Sequence, residues 1–137
     1  MDGEKCFVKG LGDYSVVDKV DASNTASEAT ITIKGETDRV YSPPDSKKDL
    51  DVTIGVANPD KTTISCKANG SIDGASVPIS CVVWNPHREK AASMSDFGNE
   101  QYKEMLCVEP GMLGDNSLEP GKIAIVEQTI TVSPTSS

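Results

Sequence analysis

Alternation with a period of two restricts this chain more than any other feature. Ala29–Lys34 (ATITIK), Leu50–Ala57 (LDVTIGVA) and Lys122–Val132 (KIAIVEQTITV) set β-branched residues against small or polar ones. Such a run turns one side of an extended strand to a core and the other to water; it gives a helix no apolar face. Cys6–Leu11, Thr62–Lys67, Val77–Trp84 and Met105–Val108 are further apolar runs of strand length. Tyr14–Val20 reads as a strand or as an irregular segment, with a polar loop at Asp21–Glu28. Ser42–Lys48 is a proline loop, Asn58–Lys61 is the turn of the clearest hairpin, and Ala68–Ala75 is a second turn region. Arg88–Met94 has the composition of a turn or two of helix, and Asn99 is placed to cap a short helix through Glu104. Roughly eight short strands with little helix predict an all-β fold, an antiparallel β-sandwich.

A length of 137 residues suits one domain over 1–137, with Ser133–Ser137 expected as a disordered tail. The net charge of −8 argues against nucleic acid as a partner and against an anionic membrane surface, both of which call for a basic face. Thirteen Lys and Arg still leave room for a local phosphate pocket. Met1–Lys5 is polar and no long apolar run follows, which predicts a cytoplasmic protein with no membrane span. Cys6, Cys66, Cys81 and Cys107 form no C-x-x-C pair, and three of them sit in apolar runs. They are expected as buried, reduced thiols, with no metal site and no cofactor. Asn69-Gly70-Ser71 fits a glycosylation sequon but reads better as an Asn-Gly turn.

The chemistry-bearing residues concentrate in Val82–Gly111, VVWNPHREKAASMSDFGNEQYKEMLCVEPG, which holds the only Trp and the only His. Met105–Val108 carries Glu109 to its end, where Pro110 and Gly111 are expected to stop the strand. A carboxylate fixed there suits a general base, and it equally suits a surface turn. His87, between Asn-Pro and Arg-Glu-Lys, tempts assignment as an acid, but its setting is that of a solvated loop. Asp38-Arg39, just beyond a strand and close to Tyr41, offers an acceptor, a donor and a ring to sugar hydroxyls, or makes a surface ion pair. Asp96-Phe97-Gly98 copies the kinase magnesium triplet without any of its companions, and Gly10-Leu11-Gly12 is too little for a dinucleotide loop. There is no G-x-S-x-G.

Taken in order, GETDRVY, W-N-P…D-F-G…C-V-E-P-G and the P-G-K before the last strand resemble the C-terminal half of the glucose-6-phosphate 1-epimerase family. These are mutarotase-like proteins of the aldose 1-epimerase superfamily, also called apospory-associated protein C homologues. FVKGLGDYSVVDKV is similar to that family's V-x-G-L…Y-x-D-K segment, so the resemblance spans nearly the whole chain. It implies part of a galactose mutarotase-like super-sandwich and a cofactor-free interconversion of the α and β anomers of a hexose 6-phosphate. In that chemistry a carboxylate takes the C1 hydroxyl proton and a histidine protonates the ring oxygen. By resemblance Glu109 is the base, Asp38 (with Arg39 beside it) contacts sugar hydroxyls, and Trp84 belongs to the pocket wall.

The resemblance also implies what to expect of a chain this short. The family's acid and its phosphate-holding arginines precede the segment matching Cys6–Leu11, and His87 does not fall on the acid position. Losing one member of an acid–base pair costs roughly two to four orders of magnitude in rate. The chain alone is therefore expected to be inactive. The competing reading is a non-catalytic carbohydrate-binding or scaffold module that keeps the fold. Half of a large sandwich leaves strand edges and an apolar face unpartnered, which predicts self-association or docking of a missing N-terminal half.

Overall fold

In the computed structural model, which describes residues 5–24, 26–56 and 62–134, the alternating runs become strands of two antiparallel sheets. The first sheet has the order β10-β6-β5-β1-β3. Its strands are β1 (Phe7–Lys9), β3 (Thr30–Thr32), β5 (Leu50–Gly55), β6 (Thr63–Ile72) and β10 (Ala124–Ser133), and β7 (Ala75–Val77) adds a short arm on β6. The second sheet has the order β2-β4-β8-β9, from β2 (Ser15–Asp18), β4 (Thr37–Ser42), β8 (Ser80–Asn85) and β9 (Cys107–Gly111). Between β8 and β9 lie the helix α1 (His87–Ser93) and a 3-10 turn at Gln101–Glu104. None of the described helices is long and apolar enough to cross a membrane.

The core lies between the sheets. Val8, Ile31, Leu50, Val52, Cys66 and Ala68 project from the first and Val16, Tyr41, Cys81 and Val83 from the second. The scarcity of aromatics is met by placing Tyr14 and Tyr41 in this core, where burial pushes the Tyr14 hydroxyl up to about 12. All four cysteines are free thiols; three are buried and Cys107 is half-buried.

The structure departs from the sequence expectations in four places, in three of them because strand pairing overrides a local signal. The expected turn at Ala68–Ala75 is mostly strand: β6 runs on through Asn69-Gly70-Ser71 because β10 pairs with it from Thr63 to Ile72. The turn is confined to Asp73-Gly74, both at positive φ, in a two-residue hairpin closed by Ile72 and Ala75. Pro110 and Gly111 do not stop β9. They continue it along β8, and the proline is tolerated because β9 is an edge strand. Asp38 and Arg39 stand inside β4 and not beyond a strand. Asn99 does not cap the 3-10 turn, whose N-cap is Glu100. The β5 and β6 hairpin arms pair as expected, while its turn, Asn58–Lys61, lies outside the described residues. Ser133 closes β10 opposite Thr63, and residues 135–137 of the expected tail also lie outside.

Candidate functional site

Register and alternation sort the second sheet into two faces. Val16, Tyr41, Cys81 and Val83 are buried against the first sheet, so their neighbours in sequence point outward. Asp38 pairs with Trp84 and Trp84 with Cys107, which makes one row across β4, β8 and β9. Val40 pairs with Val82 and Val82 with Glu109, which makes the next row on the same face. Val17, opposite Val40, extends this bed to β2 and is 63% exposed. The outer face is thus an apolar floor of Val17, Val40, Val82 and Trp84, with a carboxylate near each border.

The structure therefore brings Asp38, Trp84 and Glu109 onto one face from three adjacent strands. Strand spacing and rise set the α-carbons of Asp38 and Glu109 roughly 12 Å apart, with Trp84 between them. Glu109 is exposed, and Asp38 and Trp84 are half-buried. Cys107, two residues before Glu109, shares this face. Burial first, and then the Glu109 carboxylate, raise its thiol above the usual range, so it stays protonated beside that charge.

Arg39 is not part of this grouping. It points to the opposite face of β4, where its Nε donates to Asp18 Oδ2 at 2.8 Å. Asp18 is almost fully buried, and burial alone would raise its pKa. The backbone N–H of Asp21, the Asn24 amide, Arg39 and the backbone N–H of Val20 all donate to it and hold it at about 2. The pair fastens the loop after β2 to β4 and fixes the row that carries Asp38.

His87 follows β8 at a positive φ of 54° and is half-buried, its ring 5.1 Å from that of Tyr102. It is less solvated than its sequence setting predicts, because α1 packs on the 3-10 turn. It lines an open cleft of about 340 Å3 with Glu36, Pro86, Arg88 and Glu89. Glu36 and Pro86 lie two residues beyond Asp38 and Trp84, so the cleft continues the outer face without including Asp38, Trp84 or Glu109.

Sequence reasoning missed Asn85. It is 1% exposed, and its Nδ2 donates to the carbonyl oxygens of Tyr102 at 2.9 Å and Met105 at 2.8 Å. Its Oδ1 accepts from the His87 backbone N–H at 2.8 Å. One side chain thus ties the end of β8 to α1, to the 3-10 turn and to the approach of β9. The Asn-Pro pair was the available signal, but a turn and a buried clip look alike at that level. Among the described residues no cluster of three or more His, Cys, Asp or Glu is arranged to hold a metal ion.

Comparison with known proteins agrees with the fold. No protein-family model matches the chain. It is 33% identical over 129 residues to a protein of Cenchrus ciliaris described as a "putative glucose-6-phosphate 1-epimerase", covering 93% of this chain and 32% of that one. The fold matches the crystal structure of a "putative mutarotase (YeaD)" from Salmonella typhimurium with a TM-score of 0.66 and 27% identity, over 98% of this chain and 42% of that one. The chain spans about a third of its curated relative and under half of the solved one.

Proposed function

Because the chain resembles the glucose-6-phosphate 1-epimerase family over nearly all its length, we propose that its outer face is the base-bearing part, from the C-terminal half, of a hexose-6-phosphate mutarotase site. The observation that carries this reading is the presence of Glu109, Trp84 and Asp38 on one face of three adjacent strands. Glu109 takes the proton of the anomeric hydroxyl, Asp38 accepts hydrogen bonds from hydroxyls at the far side of the ring, and the Trp84 indole carries the apolar face of the sugar. The spacing leaves room for one pyranose ring between the carboxylates. Arg39 acts from behind: by holding Asp18 it fixes β4 and so the position of Asp38.

Ring opening needs an acid at the ring oxygen as well as a base at the hydroxyl. His87 stands beyond the Asp38–Trp84 row and two rows from Glu109, in a cleft whose lining includes neither Trp84 nor Glu109. The chain by itself therefore binds a hexose 6-phosphate weakly and does not turn it over. No cofactor enters the reaction.

Two measurements test this. Trp84 is the only Trp, so its fluorescence reports directly on the floor of the site. Glucose 6-phosphate is expected to change the emission, and Asp38→Asn to weaken that response by about tenfold. Exchange spectroscopy by NMR on the anomers is expected to give the buffer rate. Anomerisation above buffer that disappears in Glu109→Gln would overturn the inactivity of the isolated chain. A fluorescence titration without response to any hexose or hexose phosphate would overturn the sugar-binding face.

A further inference from the structure

Glu109 and Trp84 stand on neighbouring strands, so their spacing depends on how β8 holds β9. The ladder between the two strands runs from the Ser80–Gly111 pair to the Trp84–Cys107 pair and ends there. Two steps further the same register would set Met105 opposite Pro86, and a proline has no N–H to offer it. The donor comes instead from the preceding residue. Asn85 Nδ2 reaches the Met105 carbonyl at 2.8 Å and the Tyr102 carbonyl at 2.9 Å.

Asn85 is also where the three strands of the outer face meet. Its backbone pairs with Thr37, the residue before Asp38, and Trp84 immediately precedes it. Trp84 turns outward and Asn85 inward, where it is 1% exposed at the end of the core. An amide buried there is costly unless its polar atoms find partners. Here Nδ2 serves two carbonyls, and Oδ1 accepts from the His87 backbone N–H across Pro86. Aspartate and leucine are of like size, but neither offers two donors and an acceptor.

We infer that Asn85 is a positioning residue of the outer face: it locks the start of β9 to the Asp38–Trp84 row and so fixes Glu109 relative to the indole. The function of this lock rests on the reading of that face as a base-bearing sugar site; its geometry does not. Without the amide β9 keeps its five-residue ladder, but its first residues are free to swing. Cys107 and Glu109 then lose their set orientation on the face.

Asn85→Ser separates this role from the turn. A serine hydroxyl can still accept from the His87 N–H, but it is too short to reach the two carbonyls. Alkylation of Cys107 reads the result. In the parent chain Glu109→Gln is expected to speed it about threefold, because the carboxylate stands beside the thiol. In the Asn85→Ser background the same change is expected to give less than about 1.5-fold. Gly55→Ala, which disturbs the first sheet, is expected to keep the parent's ratio, so lost stability alone does not imitate the effect. The response of Trp84 emission to glucose 6-phosphate should weaken roughly fivefold in Asn85→Ser. A ratio that persists in folded Asn85→Ser would overturn the inference. So would a ratio that falls equally in Gly55→Ala, or a parent chain in which Glu109→Gln changes nothing. Should Asn85→Ser not fold, hydrogen exchange of the parent chain decides. The Asn85 Nδ2 protons are expected to exchange in the same opening as the β9 backbone amides, and exchange about a hundredfold faster would overturn the lock. A parent whose emission ignores glucose 6-phosphate, while the alkylation ratio still falls in Asn85→Ser, would sink the sugar-site reading and leave the hold of Asn85 on β9 standing.

Discussion

The Asn85 side chain donates to the Met105 carbonyl at 2.8 Å, and Met105 leads straight into the strand that carries Glu109. The end of β8 and the start of β9 are thus joined by a side chain as well as by the sheet. Asn85→Ala removes three hydrogen bonds, one buried and two part-buried, and leaves two backbone carbonyls and one N–H without this partner. It should lower unfolding stability by about 2–4 kcal/mol in urea titrations. Asn85→Asp should cost at least as much, because a carboxylate would face two carbonyl oxygens.

Asp18 makes stability depend on acid. Its pKa is lowered in the fold to about 2 from an ordinary value near 3.8, so its contribution is fully present above the ordinary value. That contribution is lost as pH falls through the folded value, and it amounts to about 2 kcal/mol. Urea midpoints of the parent chain should fall between pH 4 and 2 more steeply than those of Asp18→Asn. The variant should already be weaker at pH 7.

Cys107 reports on Glu109. Burial and then the Glu109 charge raise the thiol, which suppresses the reactive thiolate. Glu109→Gln should therefore speed alkylation of Cys107 by iodoacetamide at pH 8 by about threefold. Cys81, pushed up to about 12 chiefly by burial, should stay unlabelled in both proteins until they unfold. Peptide mapping by mass spectrometry reads both sites.

Two buried glycines should respond differently to alanine. At Gly55 a Cβ would enter the Phe7 ring, which stands directly opposite in β1. The half-buried ring must swing aside as a rigid body, so Gly55→Ala should cost about 2 kcal/mol. At Gly70 the Cβ would come 2.7 Å from Ile79 Cδ1 and 2.8 Å from Met112 Cε, the ends of flexible side chains. Gly70→Ala should cost about 1 kcal/mol. Thermal melts of the two variants give the order.

What the sequence made legible was whatever a side-chain pattern encodes locally. The alternation in Leu50–Ala57 and Lys122–Val132 marked strands, and the apolar run leading into C-V-E-P-G marked β9. Asn69-Gly70 misled because a turn preference is weak beside ten paired residues of β10. Pro110 misled because a proline ends a central strand but not an edge one, and strand order is not a local property. The face on which Arg39 stands was hidden for the same reason: its partner Asp18 is 21 residues away, and only the β2–β4 register decides that the two meet.

Asp38, Trp84 and Glu109 are neighbours in space but come from strands separated by long stretches of chain. β4 must find β8 across the entire β5–β7 segment, and β9 must find β8 across α1 and the 3-10 turn. Each closure gives up loop entropy before any contact repays it, so the outer face is a late product of a slow fold. On a ribosome β4 could pair with β2 at once but would wait for the whole β5–β7 segment to emerge before gaining β8. Trp84 emission during refolding should accordingly settle in the slowest phase, timed by the arrival of β9.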